Sequence, residues 1–317
     1  MRQARILAEH TGCYHVILKA TGPQFLFGKD SDKRDFQGIL ERSARFSGVG
    51  VLAFALLDNH FHLLVRVPEK APVPEGEFRR RVEALYGAAR AARMYGRWEG
   101  LEARGRGADA AGERDRLARR MHDLGQFVKT LKEWHSRRYR EAHGWEGTLW
   151  RGRYKSILVC ESGRAFRELA LYIAMNPVRA GIVARGADSR WTSYGQSKNA
   201  RGSFGWRCHA ELLRELARLS GAPAEGADSH AAAFDRRIAE AERVPREAVR
   251  EKVDKRKGLS PAEALACRVH AFSNGLAIGE RENFESVPIR GRRAAPVPQA
   301  CGLFTATRLR GTLFRVA

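Results

Sequence analysis

The stretch VLAFALLDNHFHLLVRV, residues 51–67, decides how this chain is read. Its odd positions, Val51 through Val67, are apolar apart from Asn59. Its even positions begin apolar at Leu52, Phe54 and Leu56, then turn polar at Asp58, His60 and His62. Alternation with a period of two predicts one long strand over 51–67. Such a strand covers a core and then offers a polar cluster on one face. His60 and His62 are two residues apart, so both imidazoles point the same way and can reach one ion. Two hydrogen-bonded histidines on a half-exposed face are the plainer reading, and a third ligand is needed to displace it. Asp58 shares that face and is either part of a ligand shell or a surface carboxylate.

Outward from this strand, Cys13 to Ala20 predicts another, and Phe25 to Gly28 is a short apolar run. Asp32 to Phe46 has Phe36, Ile39, Leu40 and Ala44 near helical spacing. Pro68 to Gly76 is a Pro-rich break, and residues 77–120 read as a helical, partly mobile basic insertion. Residues 122–140 carry a stripe of Leu124, Phe127, Val128, Leu131 and Trp134 and predict a helix. A turn and strand follow over 147–159, then a helix from Ser162, a plausible N-cap, to Met175 before Pro177. Residues 209–219 and 230–271 read as helical, and the tail after Asn274 is Gly/Arg-rich. The pattern predicts an α+β fold with helices on one face of a sheet. It divides into a unit over 1–199, with the insertion at about 70–120, and a mainly helical extension over 200–317.

The second informative stretch is LYIAMNP, residues 171–177. Tyr172 and Asn176 lie four apart, one turn along the same helix face, with Glu168 before them. The apolar stripe is Phe166, Leu169, Ala170 and Ile173, so Tyr172 stands off the core face, where a phenol can meet a substrate. Alone, it reads first as a tyrosine at the core margin, and Asn176 as a helix-terminal residue. If this face meets that of His60 and His62, two imidazoles and an amide oxygen can bind a divalent ion and leave positions for phosphate oxygens. A tyrosine nucleophile then gives a covalent phosphotyrosine, which conserves the phosphodiester's energy for strand transfer.

Charge points to the electrophile. The 317 residues hold 57 Lys and Arg against 36 Asp and Glu, a net charge of +21, with 44% hydrophobic residues. That field favours polyanions, nucleic acid first. Five scattered cysteines without a Cys-x-x-Cys argue for a reducing compartment and against a cysteine zinc site. No signal peptide or membrane-spanning run is read, so a cytoplasmic protein is expected.

Four motifs in order, LLDNHFHLLVRVPE, GTLWRGRYKSILV, ELALYIAMNPVRAGIV and RWTSYG, resemble the REP-associated tyrosine transposases. These are HUH single-strand transposases with one catalytic tyrosine. The likeness spans about residues 10–197, interrupted by the insertion. It implies a ferredoxin-like antiparallel sheet, His60, His62 and Asn176 as ligands of Mg²⁺ or Mn²⁺, and Tyr172 as nucleophile. The implied activity is cleavage and rejoining of single-stranded DNA near a hairpin, through a 5′-phosphotyrosine. Asp58 stands where many members have Pro, and the insertion and tail exceed those of compact members. The longer form resembles monomeric members more than dimeric ones. Arg151, Arg153, Lys155 and Arg179 are candidate phosphate contacts, and Trp150 and Tyr154 candidate base-stacking rings; equally, Trp150 is core and the charges a solvated face. A domesticated hairpin-binding regulator, a water-using metal phosphoesterase and an RNA-binding module are the rival readings.

Overall fold

The first strand, β1 (Gly12–Lys19), lies in the middle of a sheet, and α1 (Asp30–Ser47) follows it. The expected single strand over 51–67 is instead two: β2 (Gly50–Leu56) and β3 (His60–Val67), paired antiparallel with Leu56 opposite Phe61. Asp58 and Asn59 form the reversal, closed by the Leu57 N–H donating to the His60 carbonyl at 2.9 Å. Their carbonyls accept from the Phe27 and Ala20 N–H groups at 2.9 and 2.8 Å. Asp and Asn suit turns because their short side chains tolerate tight backbone conformations. The apolar run hid the turn because both faces of the sheet are covered, so apolar residues fill both faces on each side of Asp58 and Asn59 apart from His60, His62 and Arg66.

The computed structural model describes residues 7–22, 26–159, 163–221, 227–244, 260–266 and 277–278. The expected role of Phe25, the Ser162 cap, Cys160, Cys267, Cys301 and most of the tail lie outside the described residues. Strand order is β2-β3-β1-β4-β5, with β4 (Lys155–Val159) antiparallel to β1 and a two-residue β5 (Ala277–Ile278) parallel to β4. The first four strands have the ferredoxin-like order, with β1 between β3 and β4. The fold is α+β, as the sequence indicates.

Helices cover both faces, not the one expected. On the first, Phe36, Ile39 and Leu40 of α1 and Phe127, Val128 and Leu131 of α5 (Leu124–His143) pack on Tyr14, Val16, Leu18, Phe61, Leu63 and Val65. On the second, Phe166, Leu169 and Ile173 of α6 (Gly163–Ala174) meet Cys13, Ile17, Leu64, Ile157 and Val159. A one-turn α7 (Asn176–Arg179) begins with Pro177 in its first turn, where proline's missing N–H costs nothing. After it come α8 (Ser193–Asn199), α9 (Phe204–Leu219), α10 (Ala227–Glu242) and α11 (Pro261–Ala266). Leu212, Leu216, Phe234, Ile238 and Leu265 from the last three join the second-face core.

The insertion is three helices, α2 (Glu75–Tyr86), α3 (Ala88–Glu102) and α4 (Gly107–Ala118). They share a small core of their own, in which Phe78, Val82, Leu85, Trp98 and Leu101 meet Phe46 and Met121. Among the described residues no helix is long and apolar enough to cross a membrane.

Candidate active site

In the β1–β3 ladder Ile17 is opposite His62 and Lys19 opposite His60. Alternation puts His60, His62 and Leu64 of β3 with Cys13, His15, Ile17 and Lys19 of β1 on the face that α6 covers. His15 and His62 are therefore diagonal neighbours. Their rings meet end to end, centres 5.1 Å apart and planes within 23°, with His15 Nε2 2.9 Å from His62 Nδ1. His60 continues the row, its ring 5.0 Å from that of His62.

Tyr172 descends onto this row from α6. Its ring is edge-on to both buried imidazoles, 5.7 Å from His62 and 6.0 Å from His15. Of the residues singled out in the sequence, the fold brings His62 against Tyr172, and His60 lies beside His62. Tyr172 is 6% exposed, His62 3% and His15 0%, while His60 is half-buried at the rim.

Burial, and then the neighbouring His15, His60, Arg179 and Lys19, hold the His62 pKa well below its usual range, so its imidazole is neutral at pH 7. His60 Nδ1 lies 2.7 Å from Asn59 Oδ1. An amide oxygen only accepts, so His60 Nδ1 carries a hydrogen.

Arg179 lies with its guanidinium carbon 3.9 Å from the centre of the Tyr172 ring. Its Nη2 donates to the Tyr172 carbonyl at 2.6 Å and its Nη1 to the Leu265 carbonyl of α11 at 3.1 Å. Asn176 is buried and donates its Nδ2 to the same Tyr172 carbonyl at 3.1 Å. These bonds satisfy a carbonyl that the end of α6 leaves without an intrahelical partner. With its nitrogen so engaged, Asn176 has its amide oxygen as the remaining donor toward a cation. Among the described residues no three His, Cys, Asp or Glu side chains are grouped to hold a metal ion. His60 and His62 could offer ring nitrogens, and Asn176 an amide oxygen, to a cation.

Other expected residues fall elsewhere. Asp58 is in the β2–β3 turn, not on the histidine face, and accepts from Lys33 Nζ at 2.7 Å. Trp150 and Tyr154 are buried in the first-face core; Trp150 Nε1 donates to Ser136 Oγ at 3.1 Å, and neither ring is presented to solvent. Either could stack on a base only if that core opened. Arg151, Arg153 and Lys155 are exposed, and Lys155, opposite Ile17, shares the histidine face. Glu168, one turn before Tyr172, is clamped by Arg237 of α10 at 3.0 and 3.1 Å. Burial pushes its carboxyl up, against the pull of Arg237, Arg167 and Arg164.

Two residues were missed, His15 and Lys19. The signal was the alternation of Cys13, His15, Ile17 and Lys19, legible once that stretch is taken as a strand beside the histidine strand.

No protein-family profile and no curated protein matches the sequence. Among solved structures, one described as a REP-associated tyrosine transposase bound to a REP hairpin is similar at 14% identity and a TM-score of 0.41. The match covers 64% of this chain and 87% of that one. A likeness of that size carries no argument about this chain's chemistry.

Proposed function

We propose that this protein is a metal-dependent tyrosine transposase-like enzyme that cleaves and rejoins single-stranded hairpin DNA. The observation that carries the reading is the Tyr172 phenol, edge-on to two strand imidazoles at 5.7 and 6.0 Å and beneath a guanidinium at 3.9 Å. A +21 chain supplies the polyanion affinity.

The phenol oxygen attacks a backbone phosphorus. The Tyr172–O–P bond forms, the bond from phosphorus to the 3′-oxygen breaks, and the phenol's proton ends, net, on the freed 3′-OH. Rejoining is the reverse, with a 3′-OH displacing Tyr172. Because the phosphodiester's energy is kept in the covalent link, no outside energy source is needed. His60, His62 and Asn176 would hold Mg²⁺ or Mn²⁺, which when bound polarises the phosphate and offsets its developing charge. Arg179, Lys155, Lys19, Arg151 and Arg153 supply cations for neighbouring phosphates. The unit over 1–199 carries the chemistry and the extension from 200 braces α6. The protein acts as a cytoplasmic monomer.

One observation favours the non-catalytic hairpin binder: Tyr172 is only 6% exposed. Incubating end-labelled hairpin DNA with Mn²⁺ or EDTA, for wild type and Tyr172→Phe, separates the readings on a denaturing gel. The enzyme gives metal-dependent cleavage and a protein–DNA adduct, both absent in the variant while binding persists. Binding without cleavage in either protein would leave the binder. Cleavage surviving Tyr172→Phe would leave the water-using phosphoesterase. An RNA hairpin of the same sequence that competes better than DNA would favour the RNA-binding module.

A further inference from the structure

His15 belongs to no motif that pointed to the site, yet it is the most buried member of the histidine row, 0% exposed, and it touches the proposed ligand His62 by nitrogen. We propose that His15 is a positioning residue: its Nε2 accepts the hydrogen of His62 Nδ1 and so fixes His62 with its Nε2 lone pair turned to the site. The metal clause of this inference rests on the function proposed above; the tautomer clause does not.

Two ring nitrogens 2.9 Å apart share one hydrogen. If His62 carries it, His62 Nε2 is a lone pair and can bind a cation. If His15 carries it, a neutral His62 has its one N–H at Nε2 and is a donor there, not a ligand. Asn59 decides the same question for His60 by accepting from its Nδ1 at 2.7 Å. With His15 as acceptor, both histidines of β3 are set alike, each by a hydrogen bond at Nδ1. Partners behind a metal ligand commonly fix tautomer and ring angle in this way. Ring centres 5.1 Å apart and planes within 23° are the end-to-end, near-coplanar geometry that this hydrogen bond requires. The edge of Tyr172 lies 6.0 Å from His15 on another side, and the imidazole is buried behind His62.

The test is a long-range nitrogen–proton spectrum of the imidazoles of the full chain, followed by Mn²⁺ titration, for wild type, His15→Phe and His15→Gln. Phe keeps an aromatic ring but cannot accept; Gln can place its amide oxygen near the position of Nε2. Wild type is expected to show His62 as the Nδ1–H tautomer. His15→Phe loses that preference and binds Mn²⁺ about 10- to 100-fold more weakly, and His15→Gln restores both. A wild-type spectrum with His62 protonated at Nε2 overturns the proposal outright, even if His15→Phe does not fold. So does an unchanged tautomer in His15→Phe, or a His15→Gln as weak as His15→Phe. Wild type that shows the Nδ1–H tautomer but binds no Mn²⁺ would sink the metal-dependent function and leave the positioning role standing.

Discussion

His135 of α5 is packed among Phe27, Phe36 and Trp150, with ring centres 5.4, 5.1 and 5.3 Å away, and its Nδ1 has no hydrogen-bond partner. Burial lowers its pKa from 6.5 to about 3. Between those values the unfolded chain binds a proton that the folded chain refuses, so stability is intact above pH 6.5 and falls as the pH drops toward 3. The loss from this group is about 1.4 kcal/mol per pH unit. His209, lowered to about 4 by burial, acts in the same sense. Urea unfolding of His135→Phe from pH 7 to 5 should therefore show a shallower acid decline than wild type; equal slopes would mean that His135 already titrates in the native state. The same scale shows what one residue's neighbours conceal. His60 and His62 were legible because polar residues interrupt an apolar stretch. His15 was not, because Cys13, Tyr14, Val16, Ile17 and Leu18 around it are all apolar and a lone histidine among them reads as core.

The pairing of α6 with α10 rests partly on Glu168 and Arg237. Glu168 is 7% exposed, and beside Arg237 at 3.0 Å it has only the more distant Arg167 Nε, at 4.0 Å, within ion-pair reach among the described residues. Arg237→Ala should cost about 3–5 kcal/mol, because it strands a buried carboxyl, whereas replacing both by Met should cost much less. Thermal unfolding of the two variants checks this, and equal losses would show that packing rather than the ion pair carries the contact. Within the insertion, Trp98 is 3% exposed and donates its Nε1 to Glu113 Oε2 at 2.9 Å. Trp98→Ala should cost about 3–5 kcal/mol and, since α2–α4 have their own core, open amides of residues 75–118 in hydrogen exchange while β1, β3 and β4 stay protected. Loss of protection across the sheet would mean that the insertion and the sheet unfold as one. Helices α1 and α5 were visible in the sequence because a 3.6-residue apolar stripe marks a helix with one buried face. The β2–β3 turn was not, because a sheet covered on both sides removes the contrast that would have bracketed Asp58 and Asn59.

At the scale of the whole molecule, the covering of both sheet faces could not be read locally. Which face a helix takes depends on long-range packing, and the stripes of α6, α9 and α10 say only that they are amphipathic. The charge excess was fully legible, and it bears on binding. If about five phosphates are neutralised, the logarithm of hairpin affinity should fall with the logarithm of salt with a slope near −4. Fluorescence anisotropy from 50 to 300 mM salt reads it directly; a slope near zero would remove the electrostatic footing of the DNA assignment. The fold otherwise does one thing for the proposed chemistry: it carries Tyr172 on one helix and three imidazoles on two strands to a single place. The decisive measurement is peptide mapping by mass spectrometry of the protein after incubation with hairpin DNA and Mn²⁺, then nuclease trimming. A nucleotide phosphate on the peptide holding Tyr172, and on no other, is the expected result. An adduct on a different residue, or hairpin cleaved with every peptide unmodified, would contradict a tyrosine-linked intermediate at this site.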